Sequence, residues 1–290
     1  MLDLRTYKSG KKYLKVKIKK FLSFYSKIRI VKRSYKERLI DNLKFVTKIQ
    51  ILDATKMPIK VLFNSIELEV NTLEEAFILK ELLNDNDYYF HLDKNIVLID
   101  IGMNVGFTSL YLANKDEVKH VYSYEPVEET YKMAKANLNF NPEIASKIKA
   151  YNFGLGSEDC KRKFIYSKEY KGSVGVRGLK SWNIRQAKDT KIIEVEIRNA
   201  STVLEEIIQR HNDHFFVCKI DCEGGEYEIV NNLFSSNLIQ NIGMFIIEYH
   251  DVGPDVLQDV FFKKGFITII KKTAPHLGII YAFNTQISNN

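Results

Sequence analysis

Asp221, Glu223 and Glu226 crowd into the segment Lys219-Ile-Asp-Cys-Glu-Gly-Gly-Glu226, and a second acid stands beside an imidazole in Glu248-Tyr-His250. Each group closes an apolar run, 215–221 and 244–249, of the kind that forms a buried strand. Carboxylates next to a lysine at a strand end are expensive to bury for packing alone. Their chemistry suits removal of a proton from a hydroxyl, which needs either a general base or a divalent metal. Asp221 and His250 are the candidate bases, with Glu223 beside them. Asp221, Glu223 and Glu248 could instead hold Mg²⁺ through oxygen.

A ligand-binding pattern lies upstream. Val97-Leu-Ile-Asp100-Ile-Gly102-Met-Asn104-Val-Gly106 runs from an apolar strand through a glycine-broken turn into a helical pattern. That order places a helix N-terminus toward a ligand. The spacing Asp-x-Gly-x-Asn-x-Gly differs from the Gly-x-Gly-x-x-Gly fingerprint of dinucleotide sites. It suits the amino-acid end of S-adenosylmethionine (SAM), where no pyrophosphate has to be cradled. Twenty-five positions after Asp100, Glu125 ends the next apolar run, where an acid can accept bonds from both hydroxyls of a ribose. Asp100, Gly102, Asn104, Gly106 and Glu125 are therefore the expected cofactor residues. Leu155, after the third strand, is expected against the adenine, and Asp221 near the sulfonium end.

The elements that must position these residues alternate. Strand patterns fall at 97–101, 120–125, 148–154, 215–221, 244–249, 266–270 and 278–283, with helical patterns at 107–115, 128–140, 201–210, 225–234 and 254–263. Alternation of this kind implies a doubly wound α/β fold with a parallel sheet. The last two strands are joined by a turn at Ala274-Pro275-His276 without a helix, so they should form an antiparallel hairpin. A seven-stranded, Rossmann-like sheet ending this way is the class I SAM-dependent methyltransferase topology. Residues 157–200 interrupt the alternation and read as a β-excursion or lid, with Trp182, Tyr166 and Tyr170 as a prospective apolar wall for a substrate. Residues 51–95 read as a β/α lead-in with a capping box at Thr72 and Glu75 and with nothing catalytic. The main domain is expected over 96–290.

Charge separates the N-terminus from this body. Residues 1–50 carry 16 Lys or Arg against three acids, net +13, so the chain's net +7 leaves −6 for the rest. Residues 11–35 interleave lysines with apolar positions at helical spacing, which suits an anionic membrane surface or a partner protein. No apolar run is long enough to span a bilayer. Three cysteines make no disulfide framework and fit a reducing, cytoplasmic compartment, with attachment at the inner membrane face a further reading of the basic stretch.

Four segments together, Val97–Gly106, Tyr122–Pro126, Lys219–Glu226 and Ile247–His250, resemble the FkbM family of SAM-dependent methyltransferases. The likeness spans roughly 95–285 and departs from the commoner pattern at Met103 and Gly225, where alanine is usual; the first 50 residues fall outside it. The resemblance implies O-methylation of a sugar, surface glycan or glycosylated metabolite, with Asp100, Gly102, Asn104, Gly106 and Glu125 on SAM and Asp221 and Glu223 at the reaction centre. Competing readings are an RNA methyltransferase using the basic extension and a SAM-binding scaffold without catalysis. The acidic body and the absence of an aromatic-rich RNA-binding module make nucleic acid the weaker partner.

Overall fold

The computed structural model of the chain describes residues 33–287, so almost all of the basic stretch 11–35 lies outside the described residues. Helix α1 (Tyr35–Lys44) buries Leu39 and Leu43, four residues apart on one face. Contacts divide the chain between Arg38 and Leu39, earlier than the boundary near residue 50 that charge suggests, because both leucines belong to the core of the body.

Three antiparallel strands follow, β1 (Gln50–Asp53), β2 (Ile59–Phe63) and β3 (Ile66–Val70). β2 and β3 alternate buried and half-buried residues, so one face of the small sheet is apolar. Helix α2 (Leu73–Leu83) starts at a capping box, in which Glu75 N–H donates to Thr72 Oγ1 at 3.1 Å and Thr72 N–H donates to Glu75 Oε2 at 3.3 Å.

The alternating part then runs β4 (Ile96–Ile101), α3 (Phe107–Ala113), β5 (Val118–Tyr124), α4 (Glu128–Asn139), the one-turn α5 (Pro142–Ala145) and β6 (Ile148–Tyr151). Three strands and a short helix form the excursion: β7 (Gly154–Gly156), β8 (Cys160–Tyr166), α6 (Trp182–Gln186) and β9 (Lys191–Asn199). After it come α7 (Ala200–Arg210), β10 (Phe215–Ile220), α8 (Glu226–Ser235), β11 (Met244–His250), α9 (Asp255–Lys263), β12 (Phe266–Ala274) and β13 (Leu277–Asn284).

The main sheet has the order β12-β13-β11-β10-β4-β5-β6, parallel except for β13, which runs antiparallel to β11 and β12. All six residues of β4 are buried because side chains cover both faces. Ile96 and Leu98 join one core and Val97, Ile99 and Ile101 the other, following the period of two. The expected third strand, 148–154, divides: Tyr151 ends β6, and Gly154–Gly156 leaves the sheet to pair with β9. β7, β9 and β8 form a separate sheet over a small core of Val127, Phe164, Tyr166, Val195 and Ile197. Tyr166 is thereby removed from the expected substrate wall. Ile101 is in register with both Tyr124 and Ile220, and Ile220 with Ile247, so the residues that follow these strands share one edge.

Candidate active site

The carboxyl edge of the sheet opens into a cavity of about 660 Å³, within the range of small-molecule and cofactor sites. One limb is built on β4 and β5. Gly102 and Met103 N–H groups donate to Tyr124 O at 3.1 and 2.9 Å, which turns the chain back across the end of β5. Gly102 has φ +85°, and a Cβ there would lie 1.7 Å from the Asp221 carbonyl oxygen. Only glycine allows the β4 and β10 ends to approach so closely.

Beneath this turn Lys219 is buried in register with Asp100. Its Nζ donates to Gly102 O at 2.6 Å and lies 3.1 Å from Asp100 Oδ1. Burial works against the ammonium, but Asp100 and Asp221 outweigh it and hold its pKa above the usual value. Asp100 Oδ2 also accepts from Ser109 Oγ at 2.5 Å. Asp100 is therefore a correction: it is fully buried, outside the cavity wall, and supports the ligand loop from below. Gly106 is corrected likewise. It packs on Ala134 of α4, 3.4 Å from where its Cβ would be, and does not line the cavity.

Gly102, Asn104, Glu125 and Leu155 do line it. Glu125 accepts from Asn104 N–H at 3.0 Å and from Val127 N–H at 2.9 Å. Burial pushes its carboxyl up to about 7 despite those two bonds. Asn104 takes φ +51°, and its Oδ1 is buried without a hydrogen-bond partner. An unsatisfied acceptor beside a buried acid is what the wall of a polar ligand site would present. The ammonium and ribose of SAM supply donors for both, so these residues fit that cofactor.

The other limb is acidic and draws on four segments. The Tyr88 hydroxyl lies 3.2 Å from Asp221 Oδ2 and 3.4 Å from Glu248 Oε2. Glu223, at φ +51°, turns its carboxylate to Arg177, whose Nη1 donates at 2.9 Å. The same guanidinium grips Asp251 through Nη2 at 3.0 Å and Nε at 3.2 Å. His250 is 3% exposed, with Nδ1 2.9 Å from Glu226 Oε1 and Nε2 3.7 and 3.9 Å from Glu223 and Glu248. Burial alone would favour the neutral ring, but the bond to Glu226 and the three carboxylates push its pKa up to about 10. His250 is thus an imidazolium at neutral pH with both nitrogens turned to acids, which corrects its expected role as a base.

Glu248 is pushed well above the carboxylate range by burial and by Asp221, with His250 opposing. The expected oxygen set Asp221, Glu223 and Glu248 does not converge as drawn. Among the described residues, Asp221, Glu248 and His250 are the trio at this site whose ligand atoms lie within 4.8 Å of one another. One imidazole nitrogen with two carboxylates is not the all-oxygen shell that Mg²⁺ favours.

The lead-in contributes more than its sequence suggested. Besides Tyr88, Glu74 and Glu81 line the cavity, pushed up to about 7 and about 8, in each case chiefly by burial. Glu74 accepts from Gly172 N–H at 2.8 Å and Ser173 Oγ at 2.9 Å, fastening α2 to the excursion. Lys171 and Glu75 form a buried ion pair at 2.7 Å beside that contact. Of the three expected wall aromatics, Trp182 alone lines the cavity and is 63% exposed. No local pattern marks Tyr88 or Arg177. The capping box at Thr72 and Glu75 did predict the helix whose acids face the site.

Residues 100–267, more than half of the chain, match the methyltransferase FkbM domain. Methyltransferase sdnD of Sordaria araneosa is 26% identical over 220 residues, covering 68% of this chain and 84% of that protein. Methyltransferase 1 of Beauveria bassiana is 23% identical over 218 residues, covering 69% and 84%. A crystal structure of methyltransferase FkbM from Methylobacillus flagellatus KT matches 72% of this chain at 14% identity with a TM-score of 0.43, and the chain spans about half, 53%, of its length. The chain belongs to the FkbM methyltransferase family.

Proposed function

We propose that the protein is a SAM-dependent O-methyltransferase acting on a hydroxyl of a sugar, surface glycan or glycosylated metabolite. The observation that carries this reading is the meeting of Asp221, Tyr88 and Glu248 against the Gly102 turn, where the two limbs of the cavity touch. In this reading Gly102 and Asn104 hold the amino-acid end of SAM, Glu125 accepts from the ribose hydroxyls, and Leu155 packs on the adenine. Bound there, SAM supplies an electrophilic methyl group with a good leaving group. The chain's own task is to align an acceptor hydroxyl and take its proton.

Asp221 takes that proton. Its carboxylate receives the Tyr88 hydroxyl on one side and is half-buried at the cavity wall. Glu248, whose pKa burial and Asp221 push upward, stands beside Tyr88 on the acceptor side. His250 and Arg177 balance Glu223, Glu226 and Asp251, so the chamber keeps its shape with several acids present. Carboxylates and an exposed indole make a good wall for a polyhydroxylated ring and a poor one for phosphates, which favours a glycan over RNA. The basic stretch 11–35 would hold such a cytoplasmic enzyme at an anionic membrane face.

The test is release of S-adenosylhomocysteine (SAH) from SAM by the purified protein with a panel of glycosides and oligosaccharides. The expected result is acceptor-dependent turnover matched by a methyl ether on the sugar and lost in Asp221→Asn. Turnover with RNA alone, or none with any hydroxyl acceptor while SAM binds, would contradict the reading.

A further inference from the structure

Three of the chain's six histidines meet at the opposite edge of the main sheet. His120 is the third residue of β5, His211 follows α7, and His214 immediately precedes β10. His120 is in register with Val97, and Phe215 with Ile96, so the cluster flanks the start of β4. The candidate active site lies beyond that strand's other end, about 16 Å away at ~3.3 Å per residue. The ring centroids of His120 and His211 are 4.4 Å apart, those of His211 and His214 5.4 Å, and those of His120 and His214 5.7 Å.

One ligand nitrogen from each ring lies within 4.8 Å of the other two. Three atoms so placed enclose a point at most about 2.8 Å from each, against ~2.0–2.1 Å for a Zn–N bond. His120 and His214 are only half-buried, so small ring rotations cover the difference. Two of the rings are also held in the manner of metal ligands. His211 Nε2 lies 2.8 Å from the buried Tyr122 hydroxyl, and His214 Nδ1 lies 2.7 Å from Asp213 Oδ1. An imidazole with one nitrogen fixed by an oxygen partner offers the other to a metal in a set orientation.

We infer that His120, His211 and His214 form a binding site for a divalent transition-metal ion of the Zn²⁺ class, with a fourth position open to water. Three imidazoles with a single carboxylate behind one of them select such an ion over Mg²⁺ or Ca²⁺, which require oxygen. Lys149 and Arg210 stand close enough to disfavour extra positive charge, so the ion must be bound through strong Zn–N bonds and not through field attraction. The bound ion would tie β5 to the turn between α7 and β10, and would act on stability without touching the cavity.

The test uses chelator-treated, full-length protein titrated with ZnCl₂ by calorimetry, beside His120→Gln, His214→Gln and the double variant. His211 is left intact because it is buried against Tyr122. One equivalent is expected to bind at micromolar affinity or better. Each single variant should weaken it at least about tenfold, about 1.4 kcal/mol, and the double variant should abolish it. Co²⁺ bound to the wild-type chain should show the visible absorption of a four-coordinate nitrogen site, a readout independent of whether the variants fold. SAH affinity should be the same in all four proteins. Absence of saturable Zn²⁺ binding, binding that survives the double substitution, or a Co²⁺ spectrum of octahedral oxygen ligation would each overturn the inference.

Discussion

On the Gly102–Glu125 side of the cavity the polar contacts are made largely by backbone N–H groups from neighbouring turns. On the Asp221–Glu248 side, side chains from separated segments hold one another: Tyr88 reaches Asp221 across 133 positions and Arg177 reaches Glu223 across 46. The first limb is fixed by the register of parallel strands and by a glycine that no other residue can replace. The second is fixed by charge balance, with the cations His250, Arg177 and Lys219 set among six or more carboxylates. One limb should therefore fail by losing shape and the other by losing a proton or a charge.

Substitutions can separate the two failures. Asp221→Asn removes the proton acceptor and leaves the fold. Methyl transfer should fall by roughly 10²–10⁴-fold, the usual scale of general-base loss, and a variant within threefold of wild type would remove Asp221 from the chemistry. Gly102→Ala strikes the first limb where a Cβ meets the Asp221 carbonyl. A loss of about 2–4 kcal/mol and a Tm lower by roughly 4–16 °C should follow, read by thermal melting. Tyr88→Phe deletes a hydroxyl shared by two acids. Its expected cost is about tenfold in kcat, near the 0.5–1.5 kcal/mol of one hydrogen bond, with KM for SAM unchanged.

The mildest effect concerns pH. The folded protein holds the His250 proton up to about pH 10, whereas the free imidazole loses it near 6.5. The stability this contributes is fully present below about 6.5 and is lost as pH rises toward 10. Tm should decline over that window, and His250→Gln should flatten the decline; an unchanged slope would mean that the ring is not an imidazolium.

The contrast between the limbs also explains what the sequence revealed. Gly102, Asn104 and Glu125 were legible because a βα turn and the next strand end are contiguous, and topology alone brings them together. The strand order with its terminal hairpin was legible for the same reason, through the missing helix before Leu277. Asp100 and Gly106 belong to the same motif, but their side-chain environments are not local. Asp100 is taken up by Lys219, 119 positions away, and Gly106 by α4. Tyr88 and Arg177 lie in segments with no chemical pattern of their own. The charge state of His250 depends on Glu223, Glu226 and Glu248, whose distances from the ring only folding sets.

The most direct test of two separate limbs is calorimetric titration with SAH of the wild type, Glu125→Ala and Asp221→Asn. If the limbs are separate, Glu125→Ala weakens binding tenfold or more, at least about 1.4 kcal/mol, while Asp221→Asn stays within about threefold, or ~0.7 kcal/mol. Equal losses in both variants, or a loss confined to Asp221→Asn, would contradict it.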